Sequence, residues 1–188
     1  MAATAEIRER MIEASQKLFA QHGYGITLLD VMKTAGTPRG SIYYHLPQGK
    51  QELALAVARK VGDDTVAAVS QLSTKHDDPV EFAEALISHH TKRLVKSGYQ
   101  EGCPILGITV SQEAASDELR DALADAFRRW TQAIASSLSA KGLDKNDSHD
   151  IAATIVSGIE GALVVSRALR SRKPMDQLRR QMSSLLAR

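Results

Sequence analysis

The stretch Thr27–His45, TLLDVMKTAGTPRGSIYYH, decides how this chain folds. Leu28, Val31, Met32 and Ala35 recur at helical spacing, which predicts a short helix with one apolar face. Gly36 follows the last of them, where a helix stop favours a residue able to take positive φ. Thr37 is placed to cap a second helix, with Pro38 in its first turn, where a missing N–H costs nothing. That second helix carries Arg39, Ser41, Tyr43, Tyr44 and His45, with Ile42 as its core anchor. A helix this short does not hold itself together in water. Its polar side chains therefore predict a surface reader propped by neighbours, a helix-turn-helix.

Reading a major groove requires a helix whose exposed face offers donors to base edges and phosphates. Arg39 suits paired hydrogen bonds to a guanine, or a phosphate grip. Ser41 is small enough to admit close approach, and Gly40 removes bulk beside it. Tyr43, Tyr44 and His45 bring O–H and N–H donors together with flat faces for thymine methyls. Lys50 opens the next helix, where an ammonium and a helix N-terminus both favour a phosphate. Taken singly, each of these residues is better read as a solvated turn or a half-buried core residue. Their joint placement on one short helix after a glycine turn favours DNA.

Composition agrees with that reading without demanding it. With 43% hydrophobic and 24% charged residues over 188 positions, the chain is globular rather than disordered. Net charge is only +2, which excludes a polycation. Residues 1–60 hold eight bases and five acids, a local +3 that leaves −1 for the remainder. A mildly basic head on a neutral body fits nucleic-acid contact through a few placed charges. Cys103 is the only cysteine, so neither an internal disulfide nor a multi-cysteine metal cage is expected. No uninterrupted apolar run approaches a membrane span and the N-terminus lacks a signal-peptide core, so the expected location is cytoplasmic, with no membrane partner.

Nearly everything reads as helix. Residues 5–21 place Ile7, Met11, Ala14, Leu18 and Phe19 on one face, and His22-Gly23 ends the run. Thr27 caps the second helix, and the reading helix spans roughly Pro38 to His45. After the Pro47-Gln48-Gly49 turn, Leu53, Ala56, Val57 and Val61 drive a long helix to about Leu72. Asp78-Pro79 opens a fifth, stopped by Gly98. Gly102-Cys103-Pro104 precedes a short helix over about 105–115. Ser116 or Asp117 starts a long one that Gly142 ends, Asp147 or Ser148 the next to about Arg170, and Pro174 the last. With no alternating strand pattern, the expectation is an all-α chain of about nine helices.

These motifs closely resemble the TetR family of transcriptional repressors. The family pattern runs from a Thr-led helix through Ala-Gly-X to a reading helix ending aromatic-Tyr-His-Phe, then Lys-X-X-Leu. Here it is met by Thr27, Ala35-Gly36, Ile42-Tyr43-Tyr44-His45 and Lys50-Gln51-Glu52-Leu53. Leu46 replaces the usual Phe, a hydrophobic swap that packing tolerates. The longer Pro-Gln-Gly-Lys turn, Gly102-Cys103-Pro104-Ile105 and the stretch 158–171 are similar to the LmrA/YxaF-like branch. The resemblance implies a DNA-binding head over 1–48 and a ligand-binding and dimerisation body over 49–188. It places Arg39, Gly40, Ser41, Tyr43, Tyr44, His45 and Lys50 at DNA-contacting positions, with Thr27 and Thr37 at the two helix starts. The partners it implies are a double-stranded operator, a small-molecule effector and a second copy of the chain.

In that family the last two helices of two chains form the dimer interface. Carried over, the interface residues are Ile155, Gly158, Ile159, Ala162, Leu163, Leu178, Met182 and Leu185. Glycine inside a helix costs about 1 kcal/mol relative to Ala, so Gly158 and Gly161 ask for a reason. Close approach of another helix supplies one, from the same chain or from a partner. The resemblance also sets a ligand pocket between Pro79 and Leu138, with Phe82, Leu86, His89, His90, Cys103, Ile108, Phe127, Trp130 and Ile134 as candidates. Only 4% of residues are aromatic, which makes Trp130 the natural wall for a flat apolar ligand. His89-His90 is a poor metal pair, because helix neighbours point about 100° apart and no third ligand is evident. Cys103 has no basic neighbour to lower its pKa, so it reads as a turn residue.

Two rivals are weaker. A helical enzyme is disfavoured because no nucleophile–base pair, phosphate-binding glycine loop or metal cluster stands out, and no cofactor is expected. A protein-interaction module would use the same tyrosines and arginine as a hot spot. Salt separates that case, since DNA binding weakens steeply with added salt and an apolar protein contact does not.

Overall fold

The computed structural model describes residues 2–37, 42–111 and 116–187, with side chains from Ala5 onward except at 42 and 43. Among the described residues the chain is all-α, without a strand. Nine α-helices follow one another: α1 (Ala2–His22), α2 (Leu28–Ala35), α3 (Ile42–His45), α4 (Lys50–Ser73), α5 (Pro79–Lys96), α6 (Pro104–Ser111), α7 (Asp117–Ala140), α8 (Lys145–Leu169) and α9 (Lys173–Leu186). A short 3-10 turn, Gly23–Gly25, follows α1.

Local chemistry accounts for most of the boundaries. Asp78 caps α5 by accepting from the N–H groups of Val80 and Glu81 at 2.8 and 2.9 Å, with Pro79 in the first turn. Ser116 Oγ accepts from the Leu119 N–H at 3.2 Å just ahead of α7. One start was misplaced. α8 begins at Lys145, ahead of the expected Asp147 or Ser148, because Asp144 accepts from the Asn146 and Asp147 N–H groups. Of the expected 105–115 helix, α6 covers the part to Ser111, and 112–115 lie outside the described residues.

The chain divides into two compact units: residues 1–61 with 103–126, and 62–102 with 127–188. In the first, α1 packs on α2 and on α6 around Met11, Phe19, Val31, Leu46, Leu53 and Ile108, all buried. The α1–α6 contact is made backbone to backbone. A Cβ on Gly107 would stand 2.5 Å from the Phe19 carbonyl oxygen, and one on Gly23 only 2.9 Å from the Gly107 carbonyl oxygen. Ser111 completes the join by accepting from the Tyr24 N–H at 2.6 Å and donating to the Gly107 carbonyl. Gly107→Ala must therefore push a main-chain oxygen aside, and an expected loss of about 1–3 kcal/mol follows from overpacking. A urea midpoint unchanged from the parent protein would show that α6 is not clamped this way.

In the second unit, α5 packs on α8 and α9, and α8 on α9. Its core joins Phe82, Leu86 and Ile87 to Trp130, Ile134 and Leu138, and both groups to Ile155, Ile159, Leu163, Met175 and Met182. Helix α8 is long and apolar enough, by length and composition alone, to cross a membrane, although Glu160 interrupts its apolar run. One of its faces is packed into this core, which accounts for part of that apolar character.

Candidate nucleic-acid interface

The helix-turn-helix is built by capping at both ends of α2. Thr27 has an extended backbone, and its Oγ accepts from the Asp30 N–H at 3.2 Å. Asp30 Oδ2 in return accepts from the Thr27 N–H and O–H at 2.9 and 2.6 Å. This reciprocal box satisfies orphan donors at the helix start. It also holds the Asp30 carboxyl below the usual carboxylate range, through the Thr27 side-chain and backbone hydrogen bonds first. At the other end Gly36 sits at φ 63°, and the Thr37 N–H reaches back to the Met32 carbonyl at 3.0 Å. Arg10 of α1 donates to the Gly36 carbonyl at 3.1 Å and so ties the turn to its support.

Arg39, Gly40, Ser41 and the Tyr43 side chain lie outside the described residues. Thr37 is half-buried, and its hydroxyl has no hydrogen-bond partner among the described residues. Tyr44, at 76% exposure, stands out from the surface at the end of α3. His45 meets it edge to face at 5.1 Å and is half-buried. Leu46 is fully buried in the place of the usual Phe and anchors the turn into α4.

Lys50 is half-buried. Its ammonium donates to the Tyr24 carbonyl at 3.0 Å and lies 4.3 Å from the centre of the Tyr24 ring, which itself stacks on Phe19. Burial raises the Tyr24 phenol pKa, so that ring stays neutral beneath the cation. Three further bases counted in the basic head pair with acids of the same unit: Arg8 with Glu52 at 3.5 Å, Lys60 with Glu9 at 3.4 Å and Arg59 with Glu118 at 3.1 Å. Part of the +3 thus holds α1, α4 and α7 together. The sequence reading also passed over Leu29, which is 48% exposed on α2. Its place between Leu28 and Asp30, off the Val31–Met32 stripe, was the signal.

The expected effector residues fall into both units. Cys103 and Ile108 belong to the first, before and within α6, and the other seven to the second. Phe82, Leu86 and Ile134 are closed into the core. Trp130 is 3% exposed, yet its indole N–H is buried without an acceptor among the described residues. The His90 ring lies 5.3 Å from it, tilted by 34°, and His89 meets His90 edge-on. Burial, then the charges of His89 and Arg93, pushes the His90 pKa down to about 3, so the ring is neutral near pH 7. Phe127 is half-buried. A cavity of about 400 Å³ lies elsewhere in this unit, along α5 and α9, and none of the expected side chains lines it. Among the described residues no three His, Cys, Asp or Glu side chains are grouped to hold a metal ion.

Of the expected dimer residues, Ile155, Ile159, Leu163 and Met182 are buried in the chain's own core. Gly158 is explained within the chain, since a Cβ there would stand 2.6 Å from Leu178 Cδ1. Gly161 is different: it is exposed, with open space where its Cβ would be. Ala162 is half-buried and Leu185 exposed. The apolar surface of α8 runs instead through Val164, Val165 and Leu169, at 52, 47 and 64% exposure.

The chain matches the model of bacterial regulatory proteins of the tetR family over residues 11–57. It matches that of the LmrA/YxaF-like transcriptional regulators' C-terminal domain over 79–181. It therefore belongs to the TetR family of transcriptional regulators, in the LmrA/YxaF-like branch. An uncharacterized HTH-type regulator of Mycobacterium tuberculosis, Rv0196, is 29% identical over 187 residues, covering 95% of this chain and 93% of that one. The HTH-type transcriptional regulator LmrA of Bacillus subtilis is 25% identical over 96% of this chain and 97% of its own length. The fold matches the crystal structure of a TetR transcriptional regulator from Legionella pneumophila with a TM-score of 0.83, at 19% identity, over 94% of this chain and 95% of that one.

Proposed function

We propose that this regulator is a cytoplasmic repressor that grips a pseudo-palindromic operator as a homodimer and is released by a small apolar or aromatic effector. The observation that carries the DNA part is Tyr44, held outward at 76% exposure behind a doubly capped α2. A phenol so exposed, edge to face with His45, suits a phosphate or a base edge. One copy reads only a few base pairs, and two-fold pairing doubles the site. The exposed stripe of α8 supports a homodimer.

Lys50 donates to Tyr24, but an ammonium has three donors, so two stay available to a phosphate. Lys50→Ala is expected to lower affinity for every duplex and to reduce the slope of log affinity against log salt by about 1. Arg39→Ala, in contrast, is expected to relax choice at one base pair, by about 1–3 kcal/mol. Fluorescence anisotropy across a salt series separates the two. An unaltered slope for Lys50→Ala would remove it from the DNA contacts.

For the effector, the unsatisfied Trp130 N–H beside a neutral His90 supports a flat ligand carrying one hydrogen-bond acceptor. Binding there should quench or shift Trp130 fluorescence and weaken operator affinity together.

A further inference from the structure

We propose that the cavity along α5 and α9 is a second ligand site, built for a small organic dianion and separate from the Trp130 region. Four cations line it. Lys92 and Lys96 come from one face of α5, and Arg172 and Arg179 from α9. Asp176 is the single acid of the lining, and Arg172 engages it through Nε and Nη2, both at 2.9 Å. That hydrogen bonding holds the Asp176 carboxyl below its ordinary range. Arg179 is likewise tied, to Glu84 at 3.2 Å. These pairs orient the guanidinium groups and leave further N–H donors on each, since a guanidinium carries five.

Among the described residues the two lysines have no such acid. They stand one helical turn apart, a like-charge arrangement that destabilises a helix by a few tenths of a kcal/mol. A solvated basic face would tolerate that, but a flat face would not enclose a volume. Here the cations border about 400 Å³, within the range of small-molecule sites. Val95 contributes an apolar patch to the lining. Cations on both α5 and α9 with a short apolar patch fit two anionic groups joined by a few carbons. Phosphate esters and dicarboxylates share that chemistry. A duplex backbone is too broad for a half-open cavity of that size.

The test is calorimetric titration of the full chain with inorganic phosphate, succinate and glycerol 3-phosphate, each against chloride at equal ionic strength. Saturable binding of succinate or glycerol 3-phosphate, with a Kd near or below about 1 mM, is expected. Lys92→Ala with Lys96→Ala should weaken it by about tenfold or more, as should Val95→Glu, which adds a carboxylate and keeps both lysines. Val95→Glu also covers the case in which the double variant misfolds. The preferred anion tells a phosphate source from a carboxylate source, and either result supports the site. The idea is overturned if neither organic dianion binds saturably, if the variants bind as the parent does, or if only non-operator duplex DNA engages these lysines.

Discussion

Replacing Val164 and Leu169 with aspartate should leave each chain folded but monomeric, and should abolish tight operator binding. Both side chains lie on the outer face of α8, so their loss removes nothing from the core. With Gly161, Val165 and Ala168 they form a stripe at helical spacing, the pattern of a helix surface that packs on another. A partner that buried the two aspartates would have to dehydrate unpaired carboxylates, at several kcal/mol each. The second head would then no longer be tethered to the first, and affinity for a two-half-site duplex should fall about a hundredfold or more. Sedimentation equilibrium and anisotropy on the same samples check both halves, with helical circular dichroism as the folding control. A double variant that still sediments as a dimer would place the partner surface elsewhere. Gly161→Glu should act in the same sense, whereas Gly158→Val should lower stability instead, because only Gly158 meets Leu178 of its own chain.

The second large effect is a loss of stability in acid that traces to His90. Its folded pKa is held near 3, against an ordinary value of 6.5 in the unfolded chain. Above pH 6.5 the imidazole is neutral in both states and contributes no pH dependence. Below that value the unfolded chain takes up a proton that the folded chain refuses, so unfolding gains with every step down until the folded pKa is reached. The slope is at most about 1.4 kcal/mol per pH unit for one group. His89 is shifted the same way, by burial first and then by Arg93 and Lys92, and adds to the trend. Urea midpoints followed from neutral pH to about pH 4.5 should fall more steeply for the parent protein than for His90→Gln. Parallel curves would mean that His90 is charged in the native state, and the neutral ring assigned to the Trp130 wall would be wrong.

How much of this was legible beforehand depended on the range of the interaction involved. The Thr27 cap, the left-handed Gly36, the Asp78-Pro79 start and the burial of Leu46 all follow from residues a few positions apart, or from a motif that brings its own spacing. The head's chemistry was less readable. Counting bases gave a positive surface, but Arg8, Arg59 and Lys60 meet acids 44 to 59 positions away in the chain, at separations the one-dimensional pattern does not encode. The displaced start of α8 shows the opposite failure, in which a local cap at Asp144 was passed over for a later one.

What the sequence alone determined was the all-helical architecture, the ends of most helices and the helix-turn-helix, because capping and periodicity act within one or two turns. The tertiary structure decided which way α8 faces. That helix is apolar on nearly every side, so periodicity offers two stripes and no means of choosing between them. Packing on α5 and α9 closes over Ile155, Ile159 and Leu163 and leaves Val164, Val165 and Leu169 outside. The same choice gives Gly158 a neighbour within the chain and leaves Gly161 open, since burial depends on helices that meet only once the chain has folded.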